Sequence, residues 1–329
     1  MNDHTQPNTR MNARMNGAAS AGKLKAEGVA GPVAGSAKAT AAAKGDTAAP
    51  SATGSPTEQP VSLGEFADPL FAARSALTCL DLTSLNDADT EADIEALCQR
   101  AVGPHGKVAA VCVWPRFAAR ARALLPPEVA VAAVANFPDG GTNHARAVRD
   151  TQQIVQAGAQ EVDVVMPYRT LIAAPALLDV VRNACQGLRL KVILETGELN
   201  NPLAVALACR IALDAGADFL KTSTGKTQTS ATLQAAQWLL QAIAADAHAS
   251  THVGFKASGG LRTVAQASPY MALTAQLLGA AAVAPARFRL GASSLLADIE
   301  AVLSGDAAQA QVQELDTAQK QAFGKPGTY

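Results

Sequence analysis

Asp218-Phe219-Leu220-Lys221-Thr222-Ser223-Thr224-Gly225-Lys226 reads as a short apolar strand that delivers a lysine into a small, hydroxyl-rich turn. Further along, Val253-Gly254-Phe255-Lys256-Ala257-Ser258-Gly259-Gly260 repeats the design. An alanine-rich helical run over 231–247 separates the two, which makes them successive strands joined by a crossover helix, the unit of a parallel sheet. The same alternation extends outward in both directions. Strands are expected over 76–82, 108–113, 129–135, 161–165, 189–194, 218–221, 253–256 and 288–290. Helices are expected over 90–102, 116–125, 142–157, 175–186, 202–215, 231–247, 263–278 and 293–303. Eight βα units in about 245 residues fit the α/β class as a closed (β/α)8 TIM barrel. An open doubly wound sheet would carry a glycine fingerprint after its first strand, where this chain has Asp81-Leu82-Thr83. No GxGxxG, Walker A, GxSxG or HExxH pattern occurs, which removes common nucleotide-binding, serine-hydrolase and zinc-protease readings.

The remaining chain frames this barrel. Of its 329 residues 49% are hydrophobic and the net charge is -1, so the chain supports one large core and has no electrostatic reason to seek nucleic acid. Residues 1–60 are rich in Ala, Gly, Ser, Thr and Pro without apolar periodicity and read as a disordered low-complexity leader. A start codon set too far upstream of Met11 or Met15 is the alternative. The barrel is expected over 61–310, followed by a flexible tail over 311–329. No stretch reaches the ~20 apolar residues that span a bilayer. Cys79, Cys98, Cys112, Cys185 and Cys209 lack a CxxC spacing, consistent with reduced thiols and a cytoplasmic protein. The spacing of His4, His105, His144, His248 and His252 is read as offering no metal ligand set, so neither a metal nor any other cofactor is expected.

Barrel enzymes assemble their sites at the carboxyl ends of the strands. Here those ends present Asp81, Cys112, Asn136, Asp163, Glu195 with Thr196, Lys221, Lys256 and Gly291-Ala292-Ser293-Ser294. A neutral lysine amine at a buried strand end adds to an aldehyde and yields an iminium, the electron sink that C–C cleavage requires. Lys221 is the expected nucleophile. Its pKa must fall by about three from ~10.4, or roughly 4 kcal/mol. A second ammonium about 4 Å away, at an effective dielectric of ~20, supplies that much. Lys256 is therefore expected to be the main cause, with burial adding to it. Against this stands a structural network in which each lysine pairs with Asp163 or Asp81.

Asp163 interrupts an apolar alternation on an inward position and is the expected proton shuttle, or else only a charge balance. Glu161 and Arg169 are expected in rim or surface pairs. Asp81 either holds Lys256 and a relay water or caps the turn toward Asn86-Asp87. Cys112 is expected to line the pocket as a small hydrophobe rather than to react. Gly259-Gly260 and Gly291 with Ser293 and Ser294 follow strands seven and eight, where barrels bind phosphate on backbone amides. Thr224-Gly225-Lys226 adds a point charge from the neighbouring loop. Turn glycines with serine N-caps are the alternative for either segment.

Taken together, Leu80-Asp81-Leu82-Thr83-Ser84-Leu85, Ala110-Val111-Cys112-Val113-Trp114-Pro115-Arg116-Phe117, Asn136-Phe137-Pro138, Glu161-Val162-Asp163-Val164-Val165, Lys191-Val192-Ile193-Leu194-Glu195-Thr196, the two lysine segments and Gly291-Ala292-Ser293-Ser294 resemble the deoxyribose-phosphate aldolase family. That family's class I aldolases interconvert 2-deoxy-D-ribose 5-phosphate with D-glyceraldehyde 3-phosphate and acetaldehyde. The resemblance implies that Lys221 forms the Schiff base, Lys256 perturbs it and Asp163 moves protons. It also places the phosphate on the glycine and serine segments and suggests a homodimer. Some members end in a tyrosine that reaches the site, which makes Tyr329 a further candidate for proton abstraction. The expected partner is a small phosphosugar, with no nucleic acid and no membrane.

Overall fold

The structure, a computed structural model, describes residues 63–305. The expected leader and the whole of the expected tail, Tyr329 included, lie outside the described residues. Eight parallel strands close on themselves: β1 (Leu80–Thr83), β2 (Ala110–Val113), β3 (Ala130–Ala135), β4 (Glu161–Val165), β5 (Arg189–Ile193), β6 (Phe219–Lys221), β7 (Gly254–Ser258) and β8 (Phe288–Ala292). Each pairs with its sequence neighbours, and β1 closes the ring by pairing with both β2 and β8. The expected (β/α)8 barrel is the observed architecture.

Helices alternate with the strands: α2 (Glu91–Arg100), α3 (Pro115–Leu124), α4 (His144–Gln156), α5 (Ala174–Ala184), α6 (Pro202–Asp214), α7 (Leu233–Ala245), α8 (Val264–Leu278) and α9 (Leu295–Ser304). They start where the sequence supplies caps. Thr90 forms a capping box with Asp93, and Asn143, Asn201, Thr232 and Thr263 each accept an N-terminal amide. The hydrophobic core is the layer between strands and helices, where Val162, Val164, Leu190, Val192, Leu220, Phe255 and Leu290 are fully buried. These residues take one face of the strand alternation. The other face lines the barrel interior, and there the charged residues stand.

Two expectations need correction. Residues 76–78 belong to a helix, α1 (Pro69–Thr78), so β1 begins only at Leu80. Asp68 caps α1 through the Leu70 amide, Pro69 opens it, and Ala72, Ala73, Ala76 and Leu77 bury one face beside α8 and α9. Alanine fits that face because helix propensity favours it and close packing excludes larger side chains. A two-stranded antiparallel ribbon, Val102–Gly103 with Gly106–Lys107, also precedes β2; each strand is too short to leave an alternating pattern.

Candidate active site

Parallel register sets Lys221 beside Lys256, Lys256 beside Arg289, and Asp163 beside Lys191. All five side chains point into the barrel, together with Asp81 and Glu161, and each is at most 2% exposed. Asp163 is the hub. Its Oδ2 accepts from both Lys221 Nζ and Lys256 Nζ at 2.8 Å, and its Oδ1 accepts from Lys191 Nζ at 2.7 Å. The two lysine nitrogens are thus no more than twice 2.8 Å apart. Asp81 bonds Lys256 at 2.5 Å and Arg289 at 2.6 Å. Glu161 bonds Lys191 at 2.5 Å and Arg289 at 2.7 Å, and reaches Arg189 at the bottom of the barrel. The buried, mutually paired set therefore contains three carboxylates and four bases. Of those bases Lys221 alone has a single ion-pair contact, on an oxygen it shares.

That imbalance sets the direction in which each pKa moves. Burial is the largest influence on Lys221 and lowers its pKa; Asp163 opposes and Lys256 adds to the lowering, with a net downward shift. The expected ranking of causes is thereby reversed, since desolvation leads and Lys256 assists. Burial would lower Lys256 as well, but Asp163 and Asp81 outweigh it and hold Lys256 above the ordinary lysine value. Asp163 is pushed up by burial and pulled down further by Lys191, Lys221 and Lys256, ending well below the usual carboxylate range. One amine ready to lose its proton thus stands beside an ammonium that keeps its own. Both readings of the lysine pair meet in this geometry, because the carboxylate pairing and the lowered amine coexist.

Above this layer a cleft of about 530 Å³ opens at the carboxyl ends of β1, β6, β7 and β8. Thr224, Gly225, Lys226, Gly259, Gly260, Gly291, Ser293 and Ser294, all expected in the substrate site, line it. Ser258 connects cleft and interior, for a methyl on Gly291 would stand 2.7 Å from Ser258 Oγ and 3.0 Å from Lys256 Cε. Only glycine leaves room there. Ser294 occupies the N-cap of α9 without a side-chain capping bond, so its exposed hydroxyl faces the cleft uncommitted. The amides of a helix start and the two cations Lys226 and Arg262, neither in an ion pair among the described residues, make this wall favourable to an anion. Arg262, two residues past Gly260, is a wall residue that was not expected in the site.

Other placements differ from expectation. Glu161 has one partner at the barrel's end, the part-exposed Arg189, but its own carboxylate is 1% exposed inside the barrel, held at about 2 because Lys191 and Arg289 outweigh its burial. Arg169 is exposed but enters no ion pair among the described residues; it donates to the Asp139 carbonyl at 3.0 Å and lies over the Tyr168 ring. Cys112 does not line the cleft. It is fully buried near Asp163 and Lys256, and burial with the Asp163 charge pushes its thiol up. Asp81 does not cap the following turn, which Asp89 closes through Ser84 and Asn86. His248 and His252 do stand one turn apart, an HxxxH spacing, with rings stacked at 4.5 Å on an exposed short helix. Lys191 and Arg289 were missed. Each interrupts an apolar alternation just as Asp163 does, and that signal would have found them.

Among the described residues no helix is long and apolar enough to cross a membrane, and no three His, Cys, Asp or Glu side chains group as metal ligands. Residues 75–319 match the model of a family described as DeoC/LacD family aldolase. Among solved structures, a provisionally named deoxyribose-phosphate aldolase from Coccidioides immitis is 28% identical over 69% of this chain and 87% of its own, with a TM-score of 0.61. Two more distant structures share the fold. One, of the same provisional name, is from Toxoplasma gondii: 23% identical, TM-score 0.65, over 72% of this chain and 94% of its own. A tetrameric deoxyribose phosphate aldolase from Aeropyrum pernix is 24% identical with a TM-score of 0.59, over 73% of this chain and 96% of its own.

Proposed function

The chain belongs to the DeoC/LacD family of aldolases, and on that premise we propose that it is a class I enzyme that reversibly cleaves 2-deoxy-D-ribose 5-phosphate. The products are D-glyceraldehyde 3-phosphate and acetaldehyde, formed in the cytoplasm during the breakdown of deoxyribose phosphate. One observation carries the reading: a buried lysine with a lowered pKa shares a carboxylate oxygen with a charged lysine, at the base of a cleft favourable to an anion.

The Lys221 lone pair attacks C1 of the open-chain sugar. The carbinolamine loses water, its oxygen leaving with one proton from the attacking nitrogen and one delivered from solvent through the water beside Asp163, and an iminium remains; hydrolysis later returns that proton to solvent. Asp163 takes the C3 hydroxyl proton through a water as the C2–C3 bond breaks; the bonding pair moves into the iminium and leaves an enamine. Glyceraldehyde 3-phosphate departs. The enamine takes a proton at C2, and water then releases acetaldehyde and restores the amine. Asp163 is depressed partly by the charge at Lys221, so its basicity rises as the bonding pair neutralises the iminium nitrogen. Lys256 keeps its proton and stabilises the carbinolamine oxygen. The phosphate is held by the amides at Gly259, Gly260 and the α9 start, by Ser293 and Ser294, and by Lys226.

The test is coupled detection of glyceraldehyde 3-phosphate from 2-deoxyribose 5-phosphate. Turnover by the native chain and a loss of at least about a thousandfold in Lys221→Met are expected. A mutant that retains its rate contradicts the mechanism.

A further inference from the structure

Glu195 follows β5 and takes no part in the chemistry above, yet its position is a costly one. It is fully buried, its φ of 55° lies in the left-handed region that non-glycine residues avoid, and among the described residues no cation stands within ion-pair distance. An unpaired buried carboxylate is tolerated only if hydrogen bonds replace its hydration, and such backbone strain persists only where the surroundings enforce it. Every bond its carboxylate accepts comes from one segment. Thr224 donates its amide at 3.2 Å and its hydroxyl at 2.5 Å, and Thr227 donates its hydroxyl at 3.1 Å. Thr224 Oγ1 in turn accepts the Lys226 amide at 3.0 Å, which carries the restraint to the cleft wall.

Two close approaches hold the same segment from either side. A methyl on Gly197 would stand 2.7 Å from Thr229 Cβ, and one on Gly259 would stand 2.5 Å from Ser230 Oγ. Residues 224–230 thus fit between the heads of β5 and β7 without slack.

We infer that Glu195 is a positioning residue that latches segment 224–230 over the head of β6. The latch presents Thr224, Gly225 and Lys226 to the cleft and sets the preference for a phosphorylated over an unphosphorylated sugar. The inference rests on reading the cleft as a phosphate site. It also explains why a carboxylate is used: its two oxygens take three donors from one loop, which the single oxygen of an amide does not match.

Two variants test it against 2-deoxyribose 5-phosphate and unphosphorylated 2-deoxyribose. In Glu195→Gln, kcat/KM for the phosphate ester should fall about tenfold, mostly through KM, while that for the free sugar stays within about twofold. Thr227→Val removes one donor on a half-buried loop and should give the same split at about threefold. Parallel loss on both sugars, or no loss on either, overturns the inference. Hydrogen–deuterium exchange reads the latch without substrate. Amides over 222–232 should exchange faster in both variants with the barrel strands unchanged, and unchanged exchange in that segment overturns the latch. A native chain that fails to turn over the phosphate ester would instead overturn the proposed function and leave the exchange result standing.

Discussion

At Lys221 burial and the Lys256 charge favour the free amine, while Asp163 favours the ammonium. The two favourable influences separate by mutation. In Lys256→Leu the neighbouring cation is gone and burial remains, so Lys221 holds its proton more tightly. The acidic limb of the kcat/KM profile should move to higher pH, and the rate at neutral pH should fall by an order of magnitude or more. An unmoved limb would show that desolvation alone frees the amine. At this scale the sequence was informative where a charged residue ended or interrupted an apolar strand, as at Lys221, Lys256 and Asp163. It was less so for Glu161, whose place at the first position of its strand resembles a solvated end. Only the closed ring, which brings Arg289 across the barrel to join Lys191 of the neighbouring strand at that carboxylate, makes the position interior.

Strand periodicity was legible because the two faces of a barrel strand differ in kind. Outward residues such as Val162, Leu190 and Phe255 meet helices, and inward residues such as Asp163, Lys191 and Lys256 meet one another. Helix α1 was not legible as such, since Ala76 and Leu77 suit a strand as well as a helix and the Asp68-Pro69 start lies outside the expected repeat. The caps have separable duties. Thr263 caps α8 through the Gln266 amide, whereas Ser294 caps nothing with its side chain. Thr263→Ala should therefore cost about 1 kcal/mol of stability. Ser294→Ala should cost less than about 0.5 kcal/mol and instead raise KM for the phosphorylated sugar severalfold. Denaturant titration beside steady-state kinetics checks both; a destabilised Ser294→Ala with unchanged KM would return that serine to a capping role.

Across the whole molecule, the barrel axis holds ion pairs where many folds place hydrocarbon. Asp81, Glu161 and Asp163 all titrate below their ordinary values because the interior cations outweigh burial. Carboxylates lowered in the folded state stabilise it fully above their unfolded pKa, near ~4, and that contribution is lost as pH falls through the folded values. The melting temperature should thus hold from neutral pH down to about 4 and fall steeply below it. Glu161→Gln leaves Arg289 and Lys191 each one counter-charge short, with Asp81 and Asp163 still beside them, so it should cost about 3 kcal/mol at neutral pH and flatten the acid limb. A melting temperature independent of pH between about 2 and 5 would contradict this account of the interior.

The central claim is that one uncharged amine captures the sugar aldehyde. Borohydride reduction of the protein with 2-deoxyribose 5-phosphate, followed by peptide mass mapping, tests it most directly. The account predicts a reduced two-carbon or five-carbon adduct on Lys221, present in the native chain and absent from Lys221→Met. An adduct carried by Lys256 or Lys191, or none while substrate is turned over, would contradict it.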